Sequence, residues 1–144
     1  MVYDADHSMV VCDFVVTHEE AKLAYPEVDH GICPAVVATW LIRRIGEGRA
    51  RAMLLAGGSV NGRDAVDIGL ATHLAPRESL SETVDKLVSR ILRGGKHALA
   101  ATKQWLNELD NGDVEAEVLR GAEISADVLA GEEAQERLAR GFRK

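Results

Sequence analysis

The apolar residues form short runs near the N-terminus and helical stripes over the rest of the chain. The run MVVCDFVV, residues 9–16, is rich in β-branched side chains and predicts a buried strand. Residues 22–25 predict a second, shorter strand that ends at Pro26, because proline has no amide hydrogen to donate to a neighbouring strand. Residues 70–75, LATHLA, predict a third.

The helical pattern begins at Pro34. Proline suits the first position of a helix, and Gly46 suits the residue that follows its last turn. Between them AVVATWLI has no polar face, so this helix is expected to be buried nearly all round. A second helix is predicted over residues 48–56, with Gly57-Gly58 as its end.

The remainder of the chain predicts helices almost throughout. Asn61 is expected to cap a two-turn helix that Gly69 closes, and SLSE, residues 79–82, has the spacing of a capping box. Further helices are predicted over residues 84–92, 98–109, 113–130 and 132–142. Two or three short strands need more strands or a covering layer to form a stable sheet. The pattern therefore predicts an α/β chain that resembles the second half of a larger fold.

Composition and charge narrow the class of protein. The chain has 144 residues, 47% of them apolar and 28% charged, which is typical of one globular domain. Its net charge of −6 argues against a nucleic-acid partner and against binding to an anionic membrane. Two cysteines and five histidines show neither a disulfide framework nor the spacing of a metal site. These features predict a reduced, cytoplasmic protein without a metal.

Glu27 is the first candidate for chemistry, since it lies where a strand gives way to an apolar helix. A carboxylate against apolar walls is poorly solvated, which suits it to proton transfer. The expected walls are Val28, Ile32 and Val36, and the amides after Pro34 are donors for a developing negative charge. The alternative is an ordinary surface glutamate in a loop.

Cys33 is the second candidate, because a helix N-terminus can favour the thiolate. A nucleophilic cysteine would need a base, and His30 lies three residues away. The alternative, which the sequence favours, is that Cys33 is a small buried apolar residue.

The order of motifs resembles the enoyl-CoA hydratase/isomerase (crotonase) superfamily. The elements are Cys12-Asp13 at the end of an apolar run, AK before PEV, G-I-x-P, a buried helix ending at glycine, G-R-A-R-x-M-L-L-x-G, and A-x-x-x-G-L-A. The closing segments ALAATKQWLN and EEAQERLARGF also match, so the resemblance covers residues 12–142.

The resemblance implies the C-terminal part of a crotonase-like (ClpP/crotonase) α/β fold. Residues 1–76 would complete the core and half of the acyl pocket, and residues 77–144 would form a helical oligomerisation region. Glu27 of PEV would shuttle protons on an acyl-CoA thioester, Tyr25 would line the pocket, and the Ala35 amide would border the acyl or water site. The family implies no metal or redox cofactor. It also implies a homotrimer or a hexamer in which the C-terminal helices cover neighbouring subunits.

Departures from the family pattern concern the N-terminal half, which the resemblance places before Met1. The family's glycine-rich oxyanion turn would fall on Tyr3-Asp4-Ala5, and the second catalytic glutamate of hydratases would fall on His7, a conceivable replacement acid-base. Two functions are therefore expected as alternatives. One is a truncated hydratase or isomerase that acts through Glu27, and the other is an inactive remnant that binds CoA or serves as an assembly subunit.

Overall fold

Two small sheets and seven α-helices make up the part of the chain that the computed structural model describes, residues 7–110 and 114–141. The strands are β1 (Val16–Thr17), β2 (Lys22–Ala24), β3 (Ser59–Asn61) and β4 (His73–Leu74). β1 pairs with β4 in parallel, and β2 pairs with β3 in antiparallel register, with Leu23 opposite Val60. This topology places the early strands beside segments from the middle of the chain.

The helices come in the order that the sequence predicts. They are α1 (Ala35–Ile45), α2 (Glu47–Ala56), α3 (Gly62–Asp67), α4 (Leu80–Ile91), α5 (Lys96–Leu109), α6 (Val114–Ala130) and α7 (Glu132–Gly141). β3 lies between α2 and α3, and β4 lies between α3 and α4. Short 3-10 helices occupy His7–Val11, Val28–His30 and Arg77–Ser79. The α/β class with short strands followed by helices is confirmed.

One face of α1 forms the centre of the core. Val37, Leu41 and Ile45 lie four residues apart, and all three side chains are buried. Burying each of them contributes about 1.5–3 kcal/mol. The expectation that α1 is buried nearly all round is wrong for its other side, where Ile42 is 40% exposed.

The predicted strand over residues 9–16 is largely wrong. His7–Val11 forms a 3-10 helix, and the Cys12 amide donates to the Met9 carbonyl at 3.2 Å. Local hydrogen bonds thus satisfy this backbone, and only Val16–Thr17 lies where β4 can pair with it. β-Branched composition indicated an extended run, but a strand also needs a partner along its length.

Helix capping agrees with the sequence at one helix and differs at another. The Asn61 side chain accepts a hydrogen bond from the Asp64 amide at 2.8 Å, so the predicted cap of α3 is confirmed. Ser79 precedes α4, but its hydroxyl donates to the Pro76 carbonyl at 3.2 Å. The capping box is therefore not formed, because the 3-10 turn Arg77–Ser79 turns that hydroxyl backward.

α6 crosses α1 at close range. A Cβ atom added at Gly121 would lie 2.8 Å from the carbonyl oxygen of Ala35, so only glycine fits at this crossing. At the other end of α1, the Arg43 guanidinium bonds Asp110 at 3.0 Å and Glu117 at 3.2 Å. α6 is thereby fixed against α1 of the same chain.

We predict opposite effects for two glycine-to-alanine substitutions. Gly121→Ala should lower the free energy of unfolding by about 1–3 kcal/mol, because overpacking forces the helix backbones apart. Gly48→Ala in α2 is the matched control, since an added Cβ there meets no atom within 4 Å. It should leave stability unchanged or raise it by up to about 1 kcal/mol. Urea unfolding followed by circular dichroism measures both, and equal effects of the two substitutions would contradict the close crossing.

Candidate functional site

Glu27 lies in a tight turn between β2 and α1. It precedes the 3-10 helix Val28–His30, and its carbonyl accepts hydrogen bonds from the amides of His30 at 3.0 Å and Ile32 at 2.8 Å. Gly31 ends the turn at φ 74°, a left-handed conformation that favours glycine. The backbone around Glu27 is therefore held by local hydrogen bonds, and its side chain has a defined direction.

The Glu27 side chain lines a cavity of about 450 Å³. The other lining residues are mostly apolar: Val10, Val11, Ile32, Cys33, Pro34, Val36, Val37, Trp40 and Ser125. The Oε2 atom of Glu27 is shielded from solvent. The structure thus places a carboxylate in an apolar cavity, with two of the three expected wall residues, Ile32 and Val36, beside it. Val28, the third, is not among the lining residues.

Ala35 and Tyr25 lie outside the set of residues that line the Glu27 cavity. Ala35 begins α1 between two residues that line the Glu27 cavity, while its own side chain lines a separate groove between α1 and α6. Tyr25 is 1% exposed and belongs to the hydrophobic core, with its amide donating to the Gly58 carbonyl at 3.2 Å. Neither residue is among those that line the cavity, so their predicted contacts with an acyl group stay predictions.

Burial, and to a smaller extent the negative charge of Glu27, raises the pKa of the Tyr25 phenol to about 12, and the positive charge of Arg44 partly opposes this rise. Tyr25 and Glu27 are therefore electrostatically coupled, although Tyr25 faces the core. At neutral pH the Tyr25 phenol stays protonated beside the turn that carries Glu27.

Ser125 is a cavity residue that the sequence did not indicate. It comes from α6 and donates its hydroxyl to the Cys33 carbonyl at 2.8 Å. Ninety-two residues separate the two partners, so no local pattern could connect them. The resemblance gave no signal either, since it implied C-terminal helices that cover neighbouring subunits rather than this chain's own cavity.

Cys33 and His30 are not brought together in the cavity. Cys33 lines it, whereas His30 is exposed on the 3-10 turn and is not a lining residue. Tyr3-Asp4-Ala5 lies outside the described residues, and so does the side chain of His7. In the described part of the chain, no group of three or more His, Cys, Asp or Glu side chains could hold a metal ion. None of the helices described there is long and apolar enough to cross a membrane.

Residues 7–141 match the sequence model of the enoyl-CoA hydratase/isomerase family. This chain belongs to that family. The crotonyl-CoA hydratase of Syntrophomonas wolfei is 34% identical over 119 residues, which cover 82% of this chain and 44% of that protein. The 2,3-dehydroadipyl-CoA hydratase of Escherichia coli is 29% identical over 136 residues, or 94% of this chain and 53% of that protein.

Solved structures of enoyl-CoA hydratase/isomerase proteins share the fold. The crystal structure of an enoyl-CoA hydratase/isomerase from Pseudoalteromonas atlantica superposes with a TM-score of 0.86 at 24% identity, covering 95% of this chain and 56% of that one. An enoyl-CoA hydratase from Bacillus halodurans gives 0.84 at 22% identity and covers 96% of this chain and 57% of that one. The predicted crotonase-like fold is confirmed. The chain spans about half the length of these relatives.

We predict that Tyr25 makes stability fall in strong alkali. Because the folded state keeps a phenolic proton that the unfolded state releases above pH 10, unfolding becomes easier as the pH rises towards 12. The slope of the free energy of unfolding against pH should be steeper than that of Tyr25→Phe by up to about 1.4 kcal/mol per pH unit in that window, and the difference should vanish below it. Urea unfolding from pH 8 to 12 measures this slope, with Tyr25→Phe as the comparison. An equal alkaline slope in both proteins would contradict the assignment.

Proposed function

We propose that this member of the enoyl-CoA hydratase/isomerase family acts on an acyl-CoA thioester by proton transfer through Glu27. The observation that carries the proposal is the position of the Glu27 carboxylate in the wall of an apolar cavity, with Oε2 shielded from solvent. The relatives named as crotonyl-CoA hydratase and 2,3-dehydroadipyl-CoA hydratase support a CoA thioester as the substrate.

The cavity has the size and lining that an acyl group requires. Small-molecule sites commonly enclose roughly 300–1,000 Å³ and combine apolar walls with few polar groups. At about 450 Å³, with Trp40, Val36 and Val37 among its walls, this cavity fits a short acyl chain. The reacting carbons of the thioester would then lie next to Glu27, and the polar CoA portion would extend towards solvent.

Glu27 would act as the general base and then as the general acid. A positioned carboxylate that moves a proton in the transition state contributes about 10²–10⁴-fold to the rate. Removing a proton from the α-carbon, or adding water to the β-carbon, leaves negative charge on the thioester oxygen. We propose that backbone amides at the start of α1, including that of Ala35, stabilise this charge through the positive end of the helix. The proposed chemistry draws on the thioester and these groups and requires no metal or redox cofactor.

We further propose that the chain forms a homo-oligomer, a trimer or a hexamer as the family resemblance implies, and exposed apolar residues on α5 support an interface. Three large apolar side chains on this one helix are each more than half exposed: Trp105, Leu106 and Leu109. Helix faces of this kind commonly mark protein interfaces. A monomeric mass by light scattering would contradict the assembly.

We predict that Glu27→Gln lowers crotonyl-CoA hydration or enoyl isomerisation by at least about 10²-fold, because the amide cannot exchange the proton. Turnover is measured by the loss of the enoyl thioester absorbance. Glu20→Gln is the matched control, since Glu20 is exposed in the turn between β1 and β2 and lies outside the cavity. It should keep full activity.

Turnover of Glu27→Gln at the rate of the unchanged chain would contradict the proposed role. So would a chain that turns over neither crotonyl-CoA nor an isomerase substrate. Calorimetric titration with a non-hydrolysable acyl-CoA distinguishes a chain that binds the thioester without acting on it from one that does not bind it.

A further inference from the structure

Ser125 brings a second polar side chain to the Glu27 cavity. It lies on α6, far along the sequence from the turn that carries Glu27, and both side chains line the same space. The other lining residues are apolar apart from the thiol of Cys33 and the indole N–H of Trp40. Any polar group of a ligand inside this cavity therefore has two oxygen-bearing side chains to bind, those of Glu27 and Ser125.

The hydrogen-bonding role of Ser125 is fixed by its partner. A serine hydroxyl has one hydrogen to donate and two lone pairs that accept. The Ser125 hydroxyl donates its hydrogen to the Cys33 carbonyl at 2.8 Å. It can then only accept further hydrogen bonds, and an ionised carboxylate such as that of Glu27 also only accepts. Both side chains are therefore suited to a ligand group that donates.

The position of Ser125 is set by the crossing of α6 over α1. Glu117, Gly121 and Ser125 follow one another at four-residue intervals and so share one face of α6. Glu117 bonds Arg43 at 3.2 Å, and Gly121 abuts Ala35. These contacts fix the rotation and the height of α6, so the Ser125 hydroxyl is held at the cavity wall by backbone packing and an ion pair.

We propose that Ser125 binds the 3-hydroxyl group of a 3-hydroxyacyl thioester. Before hydration, the same side chain would bind the water molecule whose oxygen becomes that hydroxyl. The inference rests on the proposed function and adds a residue to it. In hydration the water oxygen bonds to the β-carbon, Glu27 removes one proton from that water, and the α-carbon receives one proton, so that one H₂O is added. The second proton stays on that oxygen, and the resulting O–H donates a hydrogen bond to the Ser125 hydroxyl oxygen.

Binding affinities of two ligands that differ in one hydroxyl test this role. The full chain is titrated calorimetrically with non-hydrolysable analogues of 3-hydroxybutyryl-CoA and butyryl-CoA. Ser125→Ala should weaken binding of the hydroxylated analogue about three- to tenfold, the usual loss for one hydrogen bond, and leave the affinity for the butyryl analogue unchanged. Ser125→Thr keeps the hydroxyl and should retain the preference of the unchanged chain. Ser89→Ala, at an exposed position on α4, is the matched control and should alter neither affinity.

Equal weakening of both analogues by Ser125→Ala would overturn the inference, since it would show that the hydroxyl only holds α6 on the Cys33 carbonyl. Loss of the preference in Ser125→Thr would overturn it as well. A chain that binds neither analogue would reject the inference together with the proposed function. Turnover tests the role of Glu27 separately. If the chain shows no turnover but Ser125→Ala weakens binding of the hydroxylated analogue alone, the hydroxyl site is supported and only the proposed catalysis is rejected.

Discussion

The crossing of α6 over α1 at Gly121 is the constraint on which the rest of the structure depends. α1 buries Val37, Leu41 and Ile45 in the core on one side, and on the other its first turn meets the backbone of α6. A side chain at this crossing would displace α6 and open the wall that Ser125 supplies. The hydrophobic core and the cavity thus share α1. A change that destabilises the core is therefore expected to change the shape of the cavity.

Charge and burial divide the turn around Glu27 into two environments. Tyr25 faces the core, where burial and the charge of Glu27 both keep its phenol protonated. Two residues later, Glu27 faces the cavity. Arg44 lies in α1 behind this turn and donates to the carbonyls of Cys12 and Leu70, which ties the N-terminal segment to the core. Its guanidinium has a lowered pKa because burial disfavours the charge.

The sequence predicted those features that local chemistry determines. Pro26 ended β2, Gly46 ended α1, and Asn61 capped α3, each because the backbone at that position admits few residue types. The features that it did not predict depend on distant partners. β3 forms because β2 lies beside it, although the sequence had indicated only a helix end at Gly57-Gly58 and a cap at Asn61. Ser125 reaches Cys33 across ninety-two residues. The sequence indicated Glu27 as a candidate because its motif and its apolar neighbours are contiguous, and the structure places it in a cavity wall. It did not indicate the part of that wall that α6 supplies.

The central claim is that the Glu27 carboxylate faces the reacting carbons of a thioester in the cavity between its turn, α1 and α6. A crystal structure of this chain with a non-hydrolysable acyl-CoA analogue tests it most directly. We expect the acyl group to occupy the cavity, with a Glu27 carboxylate oxygen about 3–3.5 Å from the α- or β-carbon. An acyl group bound elsewhere, or a Glu27 side chain turned out into bulk water in that complex, would contradict it.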